Sequence, residues 1–323
     1  MPIFIPSFAR SVLFVLVCLA TGSALAAYPS RPVSIVVPQA PGGANDVLAR
    51  IFGQKLQEQW GESVVVDFRP GAGDIVATQY VARSAPDGQT IGLVTSAHAI
   101  NPTLNKNLPY DTLKDFAAVA RLGQNVIGLV VTPSLHVDDV KGLIALAKAH
   151  PGELAHGSNG IGSAAHLAAE LFKSMAGIQM VHVPYKGGAP LYNDMLGGRI
   201  SISFAILNSA MQYVKAGRMK VLAVTNAKRS VVYPEYPPIS DTLPGYALTT
   251  WTGLVVPSAT PKDVVQKIAD DVLKAARAED VRRKLADFGY EVDPLGPAEF
   301  EAFIRSEIES KGRLVRASNA KFE

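Results

Sequence analysis

Two glycine-rich turns hold the residues with the clearest capacity for chemistry. The first reads Pro41-Gly42-Gly43-Ala44-Asn45-Asp46, the second Gly157-Ser158-Asn159-Gly160-Ile161-Gly162-Ser163. Glycine lets a backbone turn sharply and lets a ligand approach its N–H groups. Where such a turn opens a helix, the free N–H groups and the helix dipole form an anion site. Asn45 or Asp46 is placed to cap the first helix. Ser158 and Ser163 are placed to donate to a ligand or to shape the second turn. Taken alone, each turn also reads as a plain strand-to-helix connection.

Enzyme chemistry finds little support at these spacings. Gly160-x-Gly162-x-x-Ala165 matches a dinucleotide fingerprint formally, but Val181–Tyr185 lacks the acidic residue that would hold a ribose. Ser158 has His156 two residues before it, so no G-x-S-x-G elbow forms. No H-E-x-x-H or similar metal spacing occurs among the six histidines. A triad assembled only in space stays open, which keeps an exported hydrolase or isomerase as the rival reading. Ser96, after a third strand, is a further donor candidate or a turn cap. Tyr185 and Lys186 end another strand, Lys186 as a cation or a solvated lysine. His166 reads as a packing or capping histidine, and Trp251 as hinge core or an aromatic wall.

The elements that must carry these turns alternate. Strands are expected at Val33–Val37, Val64–Phe68, Thr90–Thr95, Leu154–Gly157, Met180–Pro184, Ile200–Ile206 and Val221–Thr225. Helices are expected over 45–60, 75–83, 138–149, 163–175, 190–196 and 209–215, with three more after Pro261. Such alternation predicts βαβ units with parallel sheets covered on both faces. Apolar stretches at Val126–Thr132 and Gly253–Val256 read as two crossings. They predict one domain over 27–126 plus 252–323, and a second over 127–251 inserted between. Both turns would then lie beyond the carboxyl ends of strands, one per domain, facing a common cleft. A dicarboxylate could place one carboxylate on each. Charge-assisted hydrogen bonds contribute about 1.5–3 kcal/mol each, so four to six could offset the roughly 4–15 kcal/mol lost on association.

Composition narrows the class. The chain has 323 residues, 48% apolar and 18% charged, which excludes disorder and fits about two domains. A net charge of +3 with scattered Lys and Arg excludes a nucleic-acid binder. One cysteine, Cys18, excludes a disulfide framework and a multi-cysteine metal site. The apolar run Ser11–Ala20 follows Arg10 and precedes Ala24-Leu25-Ala26, the pattern of a signal peptide over 1–26 cut after Ala26. Val17 before Cys18 argues against lipidation. The expected location is the periplasm.

With these segments in place, the sequence resembles the tripartite tricarboxylate transporter receptors, also called Bug proteins. The matching segments are Tyr28-Pro29-Ser30-Arg31-Pro32, Pro41-Gly42-Gly43-x-x-Asp46, Arg69-Pro70-Gly71-Ala72-Gly73 and Ala85-Pro86-Asp87-Gly88. They continue through Asn101-Pro102, Leu108-Pro109-Tyr110-Asp111, the turn 157–163 with His166, His182–Gly187 and Leu222–Ser230. The resemblance covers 28–323. It implies a type II periplasmic-binding fold, α/β, with two domains that close about a hinge. It implies a monomer without cofactor or metal that captures a small organic carboxylate for an integral-membrane tripartite tricarboxylate permease. The residues it points to are Gly42, Gly43, Ala44, Asn45, Asp46, Ser96, Ser158, Asn159, Gly162, Ser163, Tyr185 and Ala205. Three positions depart from the family pattern: Asp74-Ile75 where Gly-Asn is usual, Ala44-Asn45 where Gly-Thr is common, and Ala205 where Asp is usual. Alanine at 205 predicts a carboxylate whose far end is apolar or aromatic; the alternative is a water in the gap and an ordinary dicarboxylate.

Overall fold

The computed structural model describes residues 28–185 and 187–317. The signal-peptide reading, Cys18 and Lys186 lie outside the described residues. The chain begins β1 (Val33–Val37), α1 (Ala44–Trp60), β2 (Val64–Phe68), α2 (Ile75–Ala82), β3 (Thr90–Thr95), α3 (Ala97–Leu104) and β4 (Phe116–Asn125). Then come β5 (Ile127–Val131), α4 (Val140–Ala149), β6 (Ala155–Ser158), α5 (Ala164–Ala176), β7 (Val181–Pro184), α6 (Gly188–Leu196), β8 (Ile202–Ile206), α7 (Leu207–Lys215) and β9 (Lys220–Val224). It ends with β10 (Thr250–Pro257), α8 (Lys262–Arg277), α9 (Glu279–Asp287), β11 (Tyr290–Leu295) and α10 (Pro297–Ala317).

Two sheets result. One has the order β11-β4-β10-β3-β1-β2, the other β7-β6-β8-β5-β9. Short β-branched runs such as Val33–Val37 sit in these sheets with helices on both faces, and each sheet has an apolar cluster on either side. Trp251 belongs to that core. It is 1% exposed, packs edge-on against Phe300 and Phe303, and donates its indole N–H to Glu307.

The sheets are mixed rather than wholly parallel, a correction to the sequence reading. β1 pairs parallel with β2 and β3, and β6 parallel with β7 and β8. β10 runs antiparallel to β3 and β4, and β5 antiparallel to β8 and β9. The reason is the double crossing. β4 points out of the first sheet, and the chain passes through Val126 directly into β5, which runs away from it into the second. The neighbours of β5 run the opposite way, so the carboxyl ends of β6, β8 and β9 point back toward the first sheet. β1, β3 and β4 share one direction, so their carboxyl ends point toward the second. The antiparallel crossing strands therefore turn both sets of strand ends toward each other.

Candidate functional site

The first turn lies beyond β1. Helix α1 begins at Ala44 with Gly43 as its cap, and no side chain bonds the cap position. This corrects the expectation that Asn45 or Asp46 caps the helix. Asp46 Oδ2 instead accepts from the Gly42 N–H at 2.8 Å, and Oδ1 from Arg50 Nε at 2.5 Å. Asp46 thus folds its own turn and is spent there, and Gly42, at φ +90°, gives its N–H to it. The N–H groups of Gly43, Ala44 and Asn45 find no acceptor among the described residues. The Asn45 side chain anchors the turn by donating to Gln39 Oε1 at 2.5 Å. Gln39 Nε2 in turn donates to Asp74 Oδ1 at 2.7 Å, and Thr95 Oγ1 to Asp74 Oδ2 at 2.7 Å. Burial pushes the Asp74 carboxyl upward against the two hydrogen bonds it accepts. Gln39 and Thr95 carry no motif; the position of Gln39 just past β1 and of Thr95 at the end of β3 was the available signal.

The second turn joins β6 to α5. Ser163 caps α5, its Oγ accepting from the His166 N–H at 3.2 Å and donating to the Gly160 carbonyl at 2.7 Å. Ser158 is fully buried, and its hydroxyl also donates to the Gly160 carbonyl, at 3.0 Å. Both serines therefore shape the turn. Gly162 is occupied as well, its N–H donating to His166 Nδ1 at 3.0 Å. The N–H groups of Ile161 and Ala164 pair with no acceptor among the described residues.

Beneath this turn lies a histidine stack that the sequence did not reveal. The rings of His166 and His182 stack at 3.9 Å and 9°, and the His156 ring lies 5.0 Å from that of His182. His182 Nε2 is 2.7 Å from Ser158 Oγ. Burial pushes His182 down to about 4, with the adjacent imidazoles adding to the shift. Burial likewise lowers His156 and His166. For Glu170, burial alone would raise the carboxyl; hydrogen bonding to His156 and Lys173 and the Lys173 charge outweigh it and hold it at about 2.

The remaining candidates divide. Asn159 and Ala205 line one cavity of about 450 Å³ with Phe204, Tyr192, Tyr213 and Ser209. Ser96 is buried, stands at the cap position of α3 with no capping bond from its side chain, and offers only its carbonyl to Ala99 and Ile100. Its neighbour Thr95 carries the hydroxyl that is used. Tyr185 turns to α6 and donates to Asp194 Oδ2 at 2.9 Å. The structure thus brings Gly43, Ala44 and Asn45 to one strand-end surface and Asn159 and Ala205 to the facing one. Asp46, Ser158, Gly162 and Ser163 serve as internal supports.

These two supported turns, one at each facing set of strand ends, are what the comparisons can be set against. The profile of the family described as "Tripartite tricarboxylate transporter family receptor" matches residues 48–320. The chain belongs to that family. Protein BugT of Bordetella pertussis is 32% identical over 299 residues, covering 92% of each chain. Among solved structures, Rpa4515 of R. palustris with adipate has 33% identity and a TM-score of 0.81, covering 91% of this chain and all of that one. MatC of Rhodopseudomonas palustris with bound malate has 27% identity and a TM-score of 0.75, covering 89% of this chain and all of the other. The chain is a solute-binding receptor of the tripartite tricarboxylate transporter type, with the two-domain α/β fold of such receptors. No helix among the described residues is long and apolar enough to cross a membrane.

Proposed function

We propose that this receptor works in the periplasm, as a non-catalytic monomer, and delivers a small organic carboxylate to a membrane permease. The domains are 27–126 with 252–323, and 127–251. One observation carries the reading: two turns with unpaired N–H groups, at Gly43–Asn45 and at Ile161 and Ala164, stand on strand ends that the crossing strands turn toward each other. Each suits a carboxylate, and adipate and malate, bound by two related structures, are dicarboxylates. The ligand's far end enters the 450 Å³ cavity beside Ala205, whose walls include Phe204, Tyr192 and Tyr213. Closure about Val126 and Thr250 brings the two turns onto one ligand.

A hydrolase reading would start from Ser158 and His182, which touch at 2.7 Å. Against it, Ser158 is wholly buried beneath the turn, where no substrate reaches its oxygen. The experiment is a thermal-shift screen of aromatic monocarboxylates, C4–C6 dicarboxylates, citrate and acidic amino acids, with mass analysis of the recovered ligand. A receptor is stabilised by one class and returns it unchanged. Small-angle scattering then shows a smaller radius of gyration with that ligand. Turnover of the ligand, or no response to any acid, overturns the proposal.

A further inference from the structure

Proton positions in the histidine stack follow from its hydrogen bonds. His166 Nδ1 accepts from the Gly162 N–H, so the ring's own hydrogen sits on Nε2, which faces Glu170 Oε1 at 3.7 Å. Ser158 Oγ lies 2.7 Å from His182 Nε2 and 3.0 Å from the Gly160 carbonyl, so it links the His182 ring to the turn whichever of the two takes its hydrogen. Two stacked neutral imidazoles thus hold the turn from below, one through Gly162 and one through Ser158. Gly162, at φ +73°, and Gly160, at φ +127°, occupy backbone regions that ordinary residues avoid, so the turn relies on these partners for its shape.

The stack has a defined electrostatic surrounding. His156 stands on β6, His182 on β7, and Glu170 and Lys173 on α5 with His166 itself. Glu170 Oε1 takes Lys173 at 2.7 Å and lies 3.8 Å from His156 Nε2. A proton added to His166 can go only to Nδ1. It would then face the Gly162 N–H, donor against donor, and the turn between 159 and 163 would have to move.

We propose that His166 is a positioning residue for the carboxylate-binding turn, and that the turn holds its binding shape only while His166 Nδ1 is unprotonated. The receptor then takes up its ligand near neutral pH and loosens on it as the surroundings acidify. This rests on the carboxylate reading above. The new imidazolium would lie under the turn against Glu170, so its attraction for a carboxylate above is offset there, and the displaced N–H groups decide the outcome.

The test separates the coupling from the ligand. In the ligand-free chain, nitrogen NMR should show His166 as the Nε2–H tautomer, and the Gly162 amide should titrate together with His166. A Gly162 amide that ignores the His166 titration overturns the proposal whatever the ligand proves to be. Calorimetry with adipate adds the functional readout. His166→Asn keeps an acceptor where Nδ1 was but does not titrate; it should match the wild type at pH 7.5 and carry only adipate's own titration. The wild type should lose about tenfold more affinity than this variant between pH 7.5 and 5, as expected for a binding loop that loses its preorganisation. His166→Ala should bind weakly at both. Parallel pH profiles for wild type and His166→Asn, or tighter wild-type binding in acid, overturn the proposal. If adipate binds at no pH, adipate is not this receptor's ligand, and the NMR titration alone decides the coupling.

Discussion

The Glu291 carboxylate on β11 reaches Asn226, just past β9, with Oε2 accepting from Asn226 Nδ2 at 3.0 Å. Asn226 lies in the loop that leaves the second sheet, and Glu291 lies on the edge strand of the first. The same carboxylate accepts from Gln124 at 2.7 Å, from the Val231 N–H at 3.0 Å and from the Ser230 hydroxyl, and it is only 6% exposed. One buried side chain thus ties the edge of the first sheet, the crossing strand β4 and the loop after β9. Glu291→Ala leaves several buried donors unpaired and should cost about 3 kcal/mol, read from urea or thermal unfolding. Glu291→Gln, which retains an acceptor, should lose less. Equal stability of Glu291→Ala and wild type would show that the contact holds nothing.

How far the sequence reaches can be judged from particular residues. The alternation and both turns were legible because Val33–Val37 and the glycine turns carry strong local signals. β4 was not: Ala117, Ala118, Arg121, Gly123 and Gln124 have weak strand preference, and pairing with β10 and β11 overrides it. Pro102 hid α3, and Pro294 hid β11. The turn residues were found, but not which of them face outward. Asp46 read as a helix cap and Ser158 and Ser163 as ligand donors, because type and spacing cannot say whether a side chain bonds its own backbone. The stack of His156, His166 and His182 draws on β6, α5 and β7, and only tertiary pairing brings these together.

The two serines of the second turn both contact the same carbonyl, that of Gly160. Ser163→Ala removes the cap of α5 and should cost about 1 kcal/mol of stability. Replacing both Ser158 and Ser163 with alanine should weaken ligand binding by about 1–3 kcal/mol, since the N–H groups lose their fixed directions. Calorimetry on the best ligand from the acid screen measures this. Unchanged affinity in the double variant would remove the second turn from the binding site.

Acid should destabilise the fold through His98. This ring is 2% exposed, packs against Tyr110 and Phe116, and neither nitrogen has a partner among the described residues. Burial pushes it down to about 4. Its value is lower folded than unfolded, so its contribution is complete above about pH 6.5 and is lost as pH falls through about 4. The full effect is at most about 3 kcal/mol. Urea unfolding at pH 7 and pH 4.5 should show the loss, and His98→Phe should flatten it. A profile as steep in His98→Phe as in wild type would assign the acid sensitivity elsewhere.

Ala205 is the residue most able to set this receptor's ligand. It is 5% exposed, pairs with Gly128 across β8 and β5, and borders the cavity shared with Asn159, Phe204 and Tyr192. A carboxylate here would be buried and would need a donor from a ligand amine, a hydroxyl or a water. Without one its desolvation costs several kcal/mol. Alanine avoids that cost and leaves apolar surface, which suits a ligand with an apolar or aromatic far end. Aromatic monocarboxylates should therefore raise the melting temperature more than C4–C6 dicarboxylates, aspartate or glutamate do. Ala205→Asp should weaken that ligand by at least about tenfold, the size of one unpaired buried charge partly relieved by water. The same variant should gain response to amino acids, whose ammonium supplies the missing donor. A best response to aspartate or glutamate in the unmodified chain would overturn the assignment, and an Ala205→Asp variant with unaltered ligand preference would place residue 205 away from the ligand.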